Sequence, residues 1–180
     1  IELIDGAQKG DNLMLVMFYL SDRDVVSALA RAGGRAVSVR LVLDPNKDAF
    51  GFEKNGIPNR PVAKELVRRG GGDIAVRWCD THGEQCHAKL FMGTLKGKPF
   101  LLLGSANFTR RNLDDYNLEA SVSVESDATF PAWKDAEEYF EMMWGNVGGG
   151  YTVDYSVYQD QTIWKSSLYR FMERTGLSSF

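Results

Sequence analysis

Apolar residues recur along this chain in two rhythms, one close to every second residue and one close to every third or fourth, and their succession lays out the elements. Residues 1–10 place Ile1, Leu3, Ile4 and Ala7 roughly on one face, which predicts a short helix ending at Gly10. Residues 13–20 are almost wholly apolar, as a central strand covered on both faces would be. Ser21-Asp22-Arg23-Asp24 supplies a helix start, with Ser21 at the cap and an acid three residues on. The helix carries Val25, Val26, Leu29, Ala30 and Ala32 and stops at Gly33-Gly34. Residues 37–43 form the next apolar strand, closed by Asp44-Pro45-Asn46. Strand, helix and strand in that order predict parallel pairing through a right-handed crossover.

The stretch 47–61 has no periodicity and carries Gly51, Gly56, Pro58 and Pro61. It reads as a long loop at a strand end, either shaping a site or making a surface excursion. A helix over 62–69 ends at three glycines, a strand follows over 74–78, and the polar turn 79–85 delivers the chain to His87. Two apolar runs, 90–92 and 100–103, flank a joint containing Gly97 and Pro99, which predicts a hairpin or two adjacent strands. A loop over 108–115 rich in Arg and Asp leads to residues 117–124, which alternate strictly. Leu118, Ala120, Val122 and Val124 fall on one face there, and Asn117, Glu119, Ser121 and Ser123 on the other. Residues 131–144 are an amphipathic helix with Trp133, Ala136, Tyr139, Phe140, Met143 and Trp144 at helical spacing. A Gly- and Tyr-rich connection over 145–160 precedes a last helix, 162–174, with Ile163, Trp164, Leu168, Phe171 and Met172 on one stripe.

At 180 residues the chain can bury one proper core, so a single domain over 1–180 is expected, with its core in 1–145 and an extension over 146–180. The net charge of −3 supplies no global basic field for nucleic acid. Arg68-Arg69 and Arg110-Arg111 are the candidates for a local basic patch. No apolar run approaches the length of a membrane span and no signal peptide is visible, which favours a cytoplasmic or peripheral membrane placement. Two cysteines, Cys79 and Cys86, are too few for a disulfide framework; they could pair across the intervening loop or stay free thiols. The chain opens on Ile1 with no initiator Met, which raises the expectation of a piece of something longer.

The chemistry concentrates between His87 and Asn107. Alternation along a strand puts His87 and Lys89 on the same side, and the following strand ends in Gly104-Ser105-Ala106-Asn107. A His and a Lys beside a Ser/Asn turn make a pocket suited to phosphate, although the pair alone reads more simply as two solvated strand residues. The full spacing, His-x-Lys, then Gly-Ser-x-Asn, then an acid at Glu119, resembles the phospholipase D superfamily with its HKD motif. The resemblance covers roughly residues 10–125 and includes the 17–20 run leading into a helix and the 37–44 strand. One position departs: the acid that the motif carries after the Lys is Thr94 here.

That resemblance implies a phospholipase D-like α/β fold, an α-β-α sandwich around a mixed, largely parallel sheet. It implies a phosphodiesterase or phosphatidyltransferase in which His87 is the nucleophile, forming a phosphohistidine without a cofactor or metal. Lys89, Ser105 and Asn107 would bind the phosphate oxygens, and Glu119 would hold one ring nitrogen of His87. It also implies a second motif whose His protonates the leaving group. The chain has two His, and His82 in Thr81-His82-Gly83 has no Lys at motif spacing, so this chain holds half a site. The missing half would be an N-terminal domain of the same protein or a homodimer mate. The acidic balance leans toward a phospholipid over a nucleic acid.

Two rivals stand beside this reading. Cys79, His82, Cys86 and His87 give C-x2-H-x3-C-H, four soft ligands that could hold zinc. Alternatively the fold could persist as a phosphate-binding domain without catalysis.

Overall fold

The computed structural model describes residues 1–49, 52–53, 55–114, 116–162 and 164–175; Gly51, Asp115 and Ile163, named above, lie outside them. The centre of the fold is β1 (Asn12–Met17), whose neighbours are β2 (Ser38–Leu43) on one side and β6 (Lys89–Leu95) on the other. Strand β2 is followed by the short pair β3 (Asp48–Ala49) and β4 (Phe52–Glu53), and then by β5 (Ile74–Cys79). Outward from β6 come β7 (Lys98–Gly104) and β8 (Ser121–Glu125), and outward from β5 comes β9 (Thr152–Asp154). The seven-stranded order is β8-β7-β6-β1-β2-β5-β9. The sheet is mixed. Its parallel part is confined to β1, β2 and β5, joined by crossovers through α2 (Arg23–Gly34) and α3 (Asn59–Arg69). The expectation of a largely parallel sheet therefore holds only at this centre. The pairings β1–β6, β6–β7, β7–β8 and β5–β9 are antiparallel, and in β6–β7 the tight turn at Lys96-Gly97 can only reverse the chain.

Side-chain alternation on the central strands loads both faces. Leu13, Leu15 and Met17 join Val39, Leu41 and Leu43 against α1 (Glu2–Gly6), α2 and α3, whereas Met14, Val16 and Val42 meet α5 (Pro131–Gly145) through Trp133, Phe140 and Met143. This is why residues 13–17 read as an unbroken apolar run. Helix α2 is capped by Asp22, whose carboxylate accepts from the amides of Asp24 and Val25, and not by Ser21 as expected. Ser21 is fully buried and donates its hydroxyl to Glu173 on α6 (Trp164–Thr175).

Helix α6 docks through charge. Tyr169 and Glu173 are its buried residues, and Arg170 and the Tyr169 hydroxyl reach Glu65 on α3 at 2.8 and 2.9 Å. Burial alone would raise the Glu65 pKa, but Arg23, Arg170 and Arg69 outweigh it and hold that carboxyl well below the ordinary range. Trp164 and Phe171, expected on the buried stripe, are more than half exposed.

The Thr94 departure is compensated from a neighbouring strand. Asp11, just before β1, accepts from the amides of Lys96 and Gly97 at 2.9 Å and from the Thr94 hydroxyl at 3.3 Å, so its carboxylate caps the β6–β7 turn. Thr94 in turn accepts from the Asn12 amide at 3.1 Å. Burial would raise the Asp11 pKa, but the amides of Gln8, Gly97 and Lys96 and the Thr94 hydroxyl together bring it below 3.8. Asp11→Asn must turn an amide group toward donors and should cost about 1–3 kcal/mol in urea unfolding. Because the folded pKa is depressed, the carboxylate's contribution is complete above the ordinary value and is lost as pH falls through the folded one. The wild-type advantage over Asp11→Asn should therefore begin to shrink only once pH falls below 3.8, and be gone below the depressed folded value.

Candidate active site

Strands β1 and β7 run the same way and β6 runs against them, so the C-terminal ends of β1 and β7 and the N-terminal end of β6 meet at one edge of the sheet. Register brings Met17 opposite Lys89 and Leu90 opposite Leu103, which sets Phe18-Tyr19, His87-Ala88 and Gly104-Ser105 side by side. The Phe18 amide donates to the Ala88 carbonyl at 3.2 Å and extends the β1–β6 pairing one step past the strand. A cleft of about 390 Å³ opens there, lined by Tyr19, His87, Lys89, Ser105, Asn107, Arg111, Asn112, Asn117 and Glu119. All five residues singled out from the sequence thus share one cleft.

His87 precedes β6 and its ring leans on Phe18, with centroids 4.8 Å apart. The Lys89 ammonium sits against the same imidazole, 3.0 Å from Nδ1 and 3.1 Å from Nε2, and donates to the His87 carbonyl at 2.8 Å. It also lies 5.4 Å from the centre of the Phe18 ring. A ring nitrogen accepts from the ammonium only where it carries a lone pair, so at most one of the two does so, and the tautomer decides which. Burial, and then the charge of Lys89, lower the His87 pKa below 6.5. Burial likewise lowers the Lys89 pKa, against which the charge of Glu119 acts.

Asn107 accepts from the Tyr19 amide through Oδ1 at 3.3 Å, and its Nδ2 has no hydrogen-bond partner among the described residues. Ser105 gives its hydroxyl proton to Glu119 and accepts from the Ala120 amide at 3.1 Å. Asn112 on the short helix α4 (Arg110–Leu113) donates to the other Glu119 oxygen and is itself oriented by the Thr109 hydroxyl at 2.8 Å. Glu119 therefore does not hydrogen-bond His87, which was the expectation from its strand position. Residues 117–119 lie outside β8, and the pull of Ser105 and Asn112 turns the carboxylate toward the β7 end. Gly104 is small for a backbone reason: a Cβ there would come within 2.5 Å of the Ala120 carbonyl oxygen. That oxygen belongs to the approach to β8.

Sequence reading missed Tyr19, Arg111, Asn112 and Asn117 as cleft residues. The Arg110-Arg111 pair is split: Arg110 bonds Asp114 at 3.0 Å and carbonyls of α6, while Arg111 lines the cleft and meets Asn117 at 3.2 Å. No described residue of the 47–61 loop lines the cleft. Cys79 and Cys86 are joined in a disulfide, so neither is a thiolate and the four-ligand zinc set does not exist here. His82 stands apart, exposed and 3.4 Å from Asp80.

Comparison with known proteins gives this geometry a family. The profile described as "Cardiolipin synthase, PLD-like domain" matches residues 1–144. The chain belongs to this phospholipase D-like family. Among curated proteins, none matches the chain. Nuc from Salmonella typhimurium, a phospholipase D family member, is similar in structure at 20% identity and TM-score 0.60, over 85% of this chain and 86% of that one. NucT from Helicobacter pylori is similar at 15% identity and TM-score 0.61, over 84% and 85%. Phosphatidylserine synthase of Haemophilus influenzae Rd KW20 gives TM-score 0.61 at 15% identity, over 98% of this chain and 41% of that one. The α/β sandwich described above is thus the phospholipase D-like fold. Among the described residues, no helix is long and apolar enough to cross a membrane.

Proposed function

We propose that this chain supplies one half of a phosphodiesterase site that works through a phosphohistidine. The observation that carries the reading is His87 held against Lys89 in an open cleft that Asn107 and Glu119 share. A ring nitrogen of His87 attacks phosphorus, and the bond to the leaving oxygen breaks with its electron pair. That oxygen takes a proton from a histidine of a second half. Water or an alcohol then attacks phosphorus, the P–N bond breaks, and its pair returns to His87 while the attacking oxygen's proton passes to the second-half base.

Negative charge on the non-bridging oxygens is what makes a phosphodiester resist attack, and Lys89 with the Asn107 amide is placed to balance it. Glu119 acts through other residues: it keeps Ser105 and Asn112 in place and favours the charged form of Lys89. Ser105 contributes to the phosphate cradle by fixing Glu119, since its hydroxyl proton is already committed there. The substrate we favour is a phospholipid. The net charge of −3, the cardiolipin synthase description of the family and the likeness to a phosphatidylserine synthase support it over nucleic acid.

The half-site reading rests on counting: one His-x-Lys motif in the chain, and a second His remote from the cleft. The isolated chain, held monomeric as checked by light scattering, should hydrolyse phospholipid vesicles and single-stranded DNA at no more than background rate. Activity should appear only in a dimer or in the presence of a second motif-bearing half. A monomer turning over diesters at an ordinary enzymatic rate would overturn the half-site. An assembled, folded protein that binds phosphodiesters without turnover would favour the silent binding domain instead.

A further inference from the structure

We propose that Asp44 and the Cys79–Cys86 disulfide are a two-point clamp that positions His87 for attack, an inference that rests on the nucleophile reading above. His87 lies before β6, where no strand pairing holds its own backbone, yet its ring must meet phosphorus within a narrow cone. The residue immediately before it, Cys86, is fixed twice. Its backbone amide donates to Asp44 Oδ2 at 2.7 Å, and its sulfur is bonded to Cys79 at the buried end of β5.

Asp44 is built for this role. It is fully buried directly after β2, and its other carboxylate oxygen accepts from the Asn46 amide at 2.6 Å and the Asn46 side chain at 3.2 Å. An ionised carboxylate accepting backbone amides makes stronger bonds than a neutral acceptor. The same network also sets the floor under His87. Asn46 and Asn59 both donate to the Phe18 carbonyl, at 3.1 and 2.8 Å, and Asn59 donates to the Asp44 carbonyl at 2.8 Å. Phe18 is the ring on which the imidazole leans. The clamp thus ties both the histidine and its backing ring to the ends of β2 and β5, the rigid parallel centre of the sheet. Asp44 touches no reacting atom in this scheme; it is a positioning residue.

The test is single-turnover labelling of the assembled enzyme with phosphorus-labelled phosphatidylglycerol, stopped by a denaturing alkaline quench, reading both the rate and the final stoichiometry of phosphate on His87. Asp44→Asn keeps the shape but must turn an amide toward either Cys86 or Asn46, so labelling should slow by roughly 10–10²-fold, the cost of a small misplacement. The final stoichiometry, counted as label on His87 together with label released to product, and the KM for substrate should stay at the wild-type value. Because a buried substitution can impair folding, the second arm uses folded wild-type enzyme treated with dithiothreitol. Reduction should slow labelling in the same way, reoxidation should restore it, and a Cys79→Ala/Cys86→Ala variant should be slow and indifferent to the reductant. Reduced stoichiometry at an unchanged rate would overturn the clamp, because that is the signature of partial unfolding. Wild-type labelling matched in rate by Asp44→Asn and by reduced enzyme would overturn it while leaving the nucleophile standing. A wild type that is turned over yet never labelled on His87 would overturn both.

Discussion

In the assembled enzyme, His87→Ala should lower turnover by roughly 10⁴–10⁶-fold, the scale on which loss of a covalent nucleophile is felt. His87 is exposed, with its ring against Phe18 and Lys89, so truncation opens no core cavity and thermal unfolding should stay near the wild-type temperature. That separation of activity from stability is what distinguishes a reacting group from a packing group. The pH profile carries a second signature. Burial and then the Lys89 charge depress the His87 pKa, so the neutral nucleophile persists to lower pH than a free histidine would. The acid limb of kcat/KM should lie below pH 6.5, and in any rescue of His87→Ala by added imidazole it should move up to the free imidazole's own value. A His87→Ala enzyme retaining half its turnover would exclude the residue as nucleophile.

Lys89→Met should cost roughly 10²–10³-fold in kcat, the value of one preorganised charge aimed at a developing anion. Met preserves the stem that reaches past Phe18 while removing the ammonium that sits against both ring nitrogens of His87. With that charge gone, the remaining cause of the His87 shift is burial alone, so the acid limb should move back toward higher pH. A merely structural Lys89 would leave that limb where it is. Steady-state kinetics across pH on the same assembled enzyme read both effects.

Much of this arrangement was legible in the residues, and the reason is burial. Residues 13–17 are a strand with both faces covered, 38–43 and 74–78 bury one face fully and the other in part, and α2, α3 and α5 each bury one stripe, so their periodicities are strong. The motif spacing placed His87, Lys89, Ser105, Asn107 and Glu119 in one cleft because a hairpin in fixed register brings its two ends together. What was not legible depends on polar geometry without periodicity. Strand β9 is three residues long and recruited by Thr152, whose hydroxyl bonds the Met143 carbonyl at 2.7 Å. The 117–124 alternation overran β8, and its apolar face is exposed, with Leu118 and Val122 in solvent, because an edge strand need not be covered. Helix α6 buries Tyr169 and Glu173 in an ionic network rather than its Trp and Phe, which no apolar stripe could announce. The role of Asp44 was beyond sequence reasoning, and the choice between a Cys79–Cys86 bond and free thiols stayed open there, because pairing depends on the end of β5 meeting the segment before β6.

The central claim is that phosphate passes through His87, and direct capture of that intermediate tests it most plainly. Assembled enzyme mixed with labelled phosphodiester, quenched in denaturing alkali within one turnover and digested, should yield a phosphorylated peptide containing the His87-Ala88-Lys89 sequence. The label should be stable to alkali, discharged by acid, and absent from His87→Ala. Turnover with no label on that peptide at any time point, or label carried by a different residue, would contradict the account.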